Sequence, residues 1–244
     1  MLYLIGTGIY YLTDIPLRAV NILKECDEIY FERYTNLNDI SYKPRLEEEI
    51  KKKIIALSRE EVESDFLIKR AKEKIVAFLV PGDPLAATTD ITLIKECIDA
   101  GIKYKVVHAS SIFSAISESG LSLYRFGATA SIPIYSENFK PESFFDIIEK
   151  NISAGLHTLV LLEAKSETEF LEYEGAVKIL KSIEDKRDKH IIAWDDVIVL
   201  SRIGSEDQRF IKLSNEQVSL KPPVSLVIPA NISKNEKEFI DSLY

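Results

Sequence analysis

The residues best suited to chemistry lie in one run, Ala77-Phe78-Leu79-Val80-Pro81-Gly82-Asp83-Pro84-Leu85-Ala86-Ala87-Thr88-Thr89. Residues 75–80 are apolar without interruption and few enough for a strand buried on both faces. Pro81 ends the strand because it lacks the N–H that a ladder needs. Gly82 permits a sharp turn. Asp83 is then presented at the strand's carboxyl end, and Pro84 fixes the backbone behind it. A single carboxylate on a rigid turn, floored by Ala86, Ala87, Thr88 and Thr89, suits a ligand cleft. The plainer reading is an ordinary strand-to-helix loop.

Other chemistries find less support. His108, His157 and His190 are scattered, and neither Cys26 nor Cys97 has a partner at metal-ligand spacing. His157, at the start of a strand, reads as a hydrogen-bonded structural residue, and His190 as a solvated one. His108 ends a strand at a connector, where a role beside a ligand is open. No Gly-x-Ser-x-Gly elbow and no Gly-Lys-Ser/Thr phosphate loop occurs. Gly6-Thr7-Gly8 follows a strand, and Glu32 ends the next one, as in a dinucleotide-binding unit. However, Tyr11 stands at the third glycine position, and the helix cap comes several residues after Gly8. No helix N-terminus is therefore placed to receive a pyrophosphate. A bulkier, less anionic ligand is compatible with this loop, and nicotinamide chemistry is the runner-up.

The elements that position these residues alternate. Residues 2–5, 28–31, 54–57, 75–80 and 104–107 read as strands. Helical stretches lie between them: Ile15, Ala19, Ile22, Leu23 and Cys26 share one face after a cap at Thr13 or Asp14, residues 44–53 and 65–74 follow, and Ile91, Ile94 and Ile98 share another face. Alternation of this kind means crossover units and a mostly parallel sheet. After residue 110 the pattern loosens. Strands are expected at 130–134, 158–162, 197–200, 209–213 and 224–228. Helices are expected at 141–151, around Phe170, Tyr173, Val177 and Leu180, and at 234–243. The last three strands are too close together for crossovers, so part of this half is antiparallel. Residues 185–195, with the lone Trp194, read as an exposed charged loop. The expected class is α/β, with two lobes, 1–110 and 111–244, and a cleft between them; the first sheet is mostly parallel and the second mixed.

Composition limits the partners. The 244 residues are 46% hydrophobic and carry a net charge of −8, which argues against a nucleic acid or an anionic membrane as partner. No stretch is long and apolar enough to span a bilayer. The first residues read as a strand running into a glycine turn rather than as a signal peptide. Both cysteines fall on apolar helix faces and read as core thiols. A cytoplasmic location is the default expectation.

Taken together, the motifs are more specific than any one of them. Leu2-Tyr3-Leu4-Ile5-Gly6-Thr7-Gly8-Ile9-Tyr10, Phe31-Glu32-Arg33-Tyr34-Thr35, Leu57-Ser58-Arg59-Glu60, Phe78 to Thr89, and His108-Ala109-Ser110-Ser111-Ile112-Phe113-Ser114-Ala115 occur in this order. Tyr124-Arg125-Phe126-Gly127, Gly155-Leu156-His157-Thr158 and Arg202-Ile203-Gly204-Ser205 continue the series. From near the first residue to near the last, the chain resembles the diphthine synthases of archaea and eukaryotes, which have the tetrapyrrole-methylase fold. The resemblance implies an S-adenosylmethionine-dependent methyltransferase that releases S-adenosylhomocysteine. Its implied substrate is the amino group of a modified histidine on translation elongation factor 2, within diphthamide biosynthesis, and its implied assembly is a homodimer. Cofactor contacts carried over by position fall on Ile9, Asp83, Ala86, Ser111, Ile112, Leu162, Ile203 and Val224; no metal and no catalytic side chain is implied. The chain departs from the pattern at Ser110, where a proline is usual and a looser connector is implied. It departs also at Glu163, where an aspartate is common, and at Val224, where a histidine occurs and only a backbone or apolar contact is left. A sulfonium cofactor has an adenine to bury and no phosphate to neutralise, which accords with a glycine loop lacking a helix dipole behind it. Two further readings are a tetrapyrrole methyltransferase, whose usual Gly-Pro-Gly-Asp is missing at Gly8-Ile9-Tyr10-Tyr11, and a non-enzymatic scaffold.

Overall fold

In the computed structural model, which describes residues 1–10, 14–32, 42–165, 169–213 and 219–243, the chain falls into two units, Met1–Phe113 and Ser114–Tyr244. In the first unit β1 (Leu2–Gly6), α1 (Leu17–Glu25), β2 (Glu28–Glu32), α2 (Tyr42–Ile50), β3 (Ile54–Leu57), α3 (Arg59–Val62), α4 (Phe66–Glu73), β4 (Val76–Val80), α5 (Ile91–Asp99) and β5 (Tyr104–Val107) succeed one another. The strands form an all-parallel sheet in the order β3-β2-β4-β1-β5. Parallel neighbours need a crossover between them, and the helices supply it. Every residue of β4 is buried. Ala77 and Leu79 pack with Ile5, Ala19 and Leu23 on one face, while Phe78 packs with Leu4, Leu67 and Leu93 on the other. Cover on both faces is why the strand reads as a continuous apolar run.

Three local features differ from the sequence reading. Asp14 does not cap α1; its carboxylate turns back to accept the Tyr10 N–H at 2.8 Å, and the helix begins after Pro16. Thr13, the other expected cap, lies outside the described residues. On α5 the buried residues are Leu93 and Cys97, while Ile91 and Ile98 are 62% and 58% exposed. Two apolar stripes overlap on this helix, and the sheet covers the one centred on Leu93, which Ile94 flanks. The short helix α3 was not expected. Its Ser58–Glu61 capping box, with the Ser58 hydroxyl accepting from the Glu61 N–H and the Glu61 carboxylate from the Ser58 N–H, is written in the Ser-x-x-Glu spacing.

After α6 (Ile112–Ala115), the second unit contains β6 (Ala130–Ile132), α7 (Ser143–Ser153), β7 (Thr158–Leu162), α8 (Tyr173–Arg187), β8 (Ile198–Ser201), β9 (Arg209–Lys212), β10 (Val224–Ile228) and α9 (Lys234–Leu243). Its sheet runs β6-β7-β10-β8-β9, with β6 and β7 parallel and the remaining pairs antiparallel. Phe144, Phe145 and Ile148 of α7 and Ala176, Leu180 and Ile183 of α8 form its core with Val160, Val199 and Leu226. Of residues 185–195, expected as an exposed charged loop, 185–187 complete α8; Asp188, Lys189 and His190 are exposed as expected, but Ile192 is buried and Trp194 half-buried. Asp188 stops the helix in the left-handed region (φ 50°). Glu184, only 2% exposed, accepts the N–H of Ile191 (2.8 Å) and of Ile192 (2.9 Å) and the indole N–H of Trp194 (2.9 Å). The Lys181 ammonium lies 5.0 Å from the Trp194 ring centre.

A second buried carboxylate fastens α9. Glu236 accepts the Ser233 N–H and hydroxyl (2.8 and 2.7 Å), the Ser122 N–H (3.0 Å), the Arg125 guanidinium, and His157 Nε2–H (3.1 Å). His157 Nδ1 accepts the Ala230 N–H at 3.0 Å, so the ring is the neutral Nε2–H tautomer. His157 is thus the structural histidine its position suggested. Burial lowers its pKa, against the opposing pull of Glu236. Burial pushes Glu236 up, but the N–H groups of Ser233 and Ser122, with the Ser233 hydroxyl and His157, outweigh it and hold the carboxyl at about 2. Cys26 and Cys97 are buried free thiols, and burial pushes Cys26 up to about 11. Among the described residues no helix is long and apolar enough to cross a membrane.

Candidate functional site

The sheet order of the first unit identifies where a ligand belongs. From β1 the chain crosses over β4 to reach β2, whereas from β4 it crosses over β1 to reach β5. Departing in opposite directions, the two connections leave a crevice at the carboxyl ends of β1 and β4, where ligands bind in open α/β sheets. The loops that meet there are 6–9 after β1 and 81–89 after β4, joined by residues 108–112 after β5.

Their approach is close. Gly8 N–H donates to the Gly82 carbonyl (3.2 Å), and Gly82 N–H to the Gly8 carbonyl (2.9 Å). A Cβ on Gly6 would lie 2.5 Å from the Gly82 oxygen and 2.9 Å from both Pro84 Cδ and Ala109 Cβ, so only glycine fits. Gly82 itself has φ +70°. Asp83 closes the arrangement. Its Oδ1 accepts the Leu85 N–H (3.0 Å), and its Oδ2 accepts the Ala109 N–H (3.2 Å) and His108 Nδ1–H (2.8 Å). The carboxylate therefore shapes its own loop and ties it to the connector. Ala86 N–H donates to the Asp83 carbonyl at 3.1 Å. The next residue, Ala87, has φ +58°, a strained value for a residue with a side chain.

Ser110 adds a tie to the connector. Its hydroxyl accepts the Ile9 N–H at 3.2 Å, a bond that the more usual proline has no group to make. Ser111 is buried beside Gly82, and Ile112 opens α6. Of the expected contacts, Ile9, Asp83, Ala86 and Ser111 are thus brought onto neighbouring loops of the first unit, with Ile112 next to Ser111.

The remaining three lie in the second unit. Leu162 ends β7, and Val224 opens β10 after the cis Pro222–Pro223 bond. Ser225 pairs with Leu161, so Leu162 and Val224 come next at the same end of the sheet. Val224 also pairs with Ser201, and Arg202 N–H donates to the Pro223 carbonyl at 2.9 Å. Ile203 follows in a tight turn between Arg202 (φ 52°) and Gly204 (φ 85°), and it is buried. These three residues cluster at one end of adjacent strands. Leu162 and Val224 also pack on the unit's core. Glu163 accepts the Ile134 N–H at 2.7 Å, a structural use of the longer acid.

The three loops of the first unit differ in charge from a dinucleotide site. Across residues 6–9, 81–89 and 108–112 the only ionisable side chains are Asp83 and His108. These three loops hold no lysine or arginine that would neutralise a pyrophosphate. Gly6 packs tightly against Gly82, and the loops carry small side chains beside it, Ala86, Ala87 and Ala109 among them. Three participants were not assigned from sequence: His108 and Ala109 as partners of Asp83, and Ser110 as partner of Ile9. Asp90 also went unassigned. It is 3% exposed, and among the described residues its Oδ2 has no hydrogen-bond partner. No local signal pairs His108 and Ala109 with Asp83, or Ser110 with Ile9, because their meeting depends on the order of strands in the sheet. No group of three or more metal-ligating side chains occurs among the described residues.

Comparison with known proteins agrees with this geometry. The family described as Tetrapyrrole (Corrin/Porphyrin) Methylases matches residues 1–218. A diphthine synthase of Methanococcus vannielii is 39% identical, with 84% of this chain and 82% of that protein aligned. A diphthine methyl ester synthase of Mus musculus is 37% identical over 98% of this chain and 95% of its own length. A crystal structure of a diphthine synthase superposes with a TM-score of 0.85 at 29% identity, covering 99% of this chain and 95% of the other. The close approach of Gly6 to Gly82 beside Asp83, the mixed second sheet and these likenesses converge: the chain is a methyltransferase that belongs to the tetrapyrrole methylase family and, within it, to the diphthine synthases.

Proposed function

We propose that this methyltransferase uses S-adenosylmethionine to methylate the amino group of the modified histidine on translation elongation factor 2. The observation that carries the reading is the set of loops without lysine or arginine at the β1/β4 crevice, drawn together by Asp83 and by the Gly8–Gly82 pair. Ile9, Asp83, Ala86, Ser111 and Ile112 would hold the cofactor in the first unit, and Leu162, Ile203 and Val224 in the second. When bound, S-adenosylmethionine supplies an electrophilic methyl on a sulfonium. The contribution of the chain is to bind, align and desolvate. An α-type amine has a pKa of about 7.7–8.0, and desolvation lowers it further. A useful fraction of the nucleophile is therefore neutral near pH 7 without a dedicated base, so alignment can carry much of the rate.

The deciding assay is transfer of labelled methyl to elongation factor 2 that bears the unmethylated intermediate. Label on the protein supports the reading, and label on a porphyrinoid instead overturns it. Similar relatives include both a diphthine synthase and a diphthine methyl ester synthase, so the acceptor atoms require a test of their own. Mass spectrometry before and after mild alkali separates them: an ester is hydrolysed, and an N-methyl group survives. The same reading includes a homodimer and a cytoplasmic location; sedimentation showing monomer alone would refute the first.

A further inference from the structure

Two titratable side chains stand on the three loops, and only His108 has an atom to spare. Both oxygens of Asp83 are taken, by the N–H groups of Leu85 and Ala109 and by the imidazole. An ionised carboxylate only accepts, so the proton between the two residues sits on His108 Nδ1, and the neutral ring keeps a lone pair on Nε2. Among the described residues Nε2 has no hydrogen bond, and Asp83 is the one charged group paired with the ring. The His108 side chain is 67% exposed, against 14% for Asp83. At that exposure the pair adds little to stability. What it does is fix the orientation and tautomer of the ring, as a carboxylate does for an imidazole that moves protons. The place matches: the ring is tied to the Asp83 corner, and Ser111 and Ile112 follow it by three and four residues.

We propose that His108 Nε2 takes the proton that the substrate's ammonium must lose and passes it to water. The inference rests on the proposed methylation of an amine. An ammonium has no lone pair and cannot attack a methyl carbon. With a pKa of about 7.7–8.0, only about a tenth of the amine is neutral at pH 7. Substrate that enters the crevice as the ammonium therefore needs an acceptor there. In the step, one N–H bond breaks and leaves its electron pair on the amine nitrogen, while the lone pair of Nε2 forms the new N–H bond. The ring becomes an imidazolium, its charge opposed by Asp83, and its exposed side returns the proton to solvent. No co-reactant is required. Each methyl transfer leaves an ammonium again, so the same relay serves any later transfer to that nitrogen.

The test is single-turnover transfer of labelled methyl to elongation factor 2 bearing the unmethylated intermediate, by the wild type and His108→Gln, at pH 7 and pH 9. The variant depends on amine that arrives neutral. It should be about tenfold slower than the wild type at pH 7 and equal to it at pH 9, where about nine-tenths of the amine is neutral. Calorimetry should give the same affinity for S-adenosylhomocysteine in both proteins. In the ligand-free wild type, nitrogen-15 NMR of labelled histidine should show neutral His108 as the Nδ1–H tautomer, the reverse of His157. A deficit of equal size at the two pH values marks a residue kept for structure and overturns the proposal. An Nε2–H tautomer at His108 overturns it too, as does a wild-type rate in the variant at pH 7 with a label that resists mild alkali. An alkali-labile label would instead bring down the amine as acceptor, and no label from the wild type would bring down the proposed function; either takes this inference with it.

Discussion

Replacing Glu236 by glutamine keeps the shape of the side chain and removes its charge, which makes the cost of that charge measurable. Five donors converge on the carboxylate, from Ser233 (two), Ser122, His157 and Arg125. They hold the group at about 2 against an ordinary 4.5. At 1.36 kcal/mol for each pKa unit, the ionised form adds about 3 kcal/mol to stability. Because the folded value is the lower one, this contribution is complete above pH 4.5 and is lost as pH falls toward 2. His157 acts in a higher window. Its folded pKa is depressed below 6.5, so its neutral form adds stability that is complete above 6.5 and erodes as pH falls below that value. Urea unfolding of the wild type and Glu236→Gln at pH 7, 5.5, 4 and 3 separates the two groups. The variant should be less stable by about 3 kcal/mol at pH 7, and the gap should narrow steadily below pH 4.5. Added salt should change it little, since the side chain is 6% exposed. A gap that stays constant from pH 7 to pH 3, or one below about 1 kcal/mol at pH 7, would refute the argument.

Two further outcomes follow from the same kind of accounting. Asp83→Ala leaves the N–H groups of Leu85 and Ala109 without their acceptor. It should lower stability by about 2–3 kcal/mol and weaken S-adenosylhomocysteine binding at least tenfold; His108, 67% exposed on its side chain, adds little. Calorimetry and urea unfolding check both, and unchanged affinity would remove Asp83 from the site. Glu184→Ala should release the segment around Ile191, Ile192 and Trp194. As the chain has one tryptophan, its emission should shift to the red while the far-ultraviolet circular dichroism stays the same.

The strands were largely legible because burial on one or both faces leaves a short-period apolar signature, most plainly in β4 and β10. Which strands lie side by side was not legible. The order β3-β2-β4-β1-β5 puts Gly6 against Gly82, and no local pattern encodes a pairing between residues so distant in sequence. Helix faces were half legible: α5 offers two apolar stripes, and only the packed sheet selects the one with Leu93 and Cys97. Acidic side chains that serve the interior were not legible, because their partners lie apart in sequence. Glu184 carried no mark in the sequence, yet it is the anchor of the segment that follows α8. The Pro-Gly-Asp-Pro corner was the clearest signal, because proline and glycine restrict the backbone wherever they occur. The partners of its carboxylate required three dimensions.

The bonds at the carboxyl edge of the first sheet form a closed circuit. Gly8 joins Gly82, Asp83 joins Ala109, and the neighbouring Ser110 returns to Ile9. Each link shortens the excursions of the other two, so cutting one frees part of what the others restrain. Removing the Asp83 and Ser110 side chains together should then cost less than the separate losses added, and amide exchange along this rim should report one shared opening rather than three.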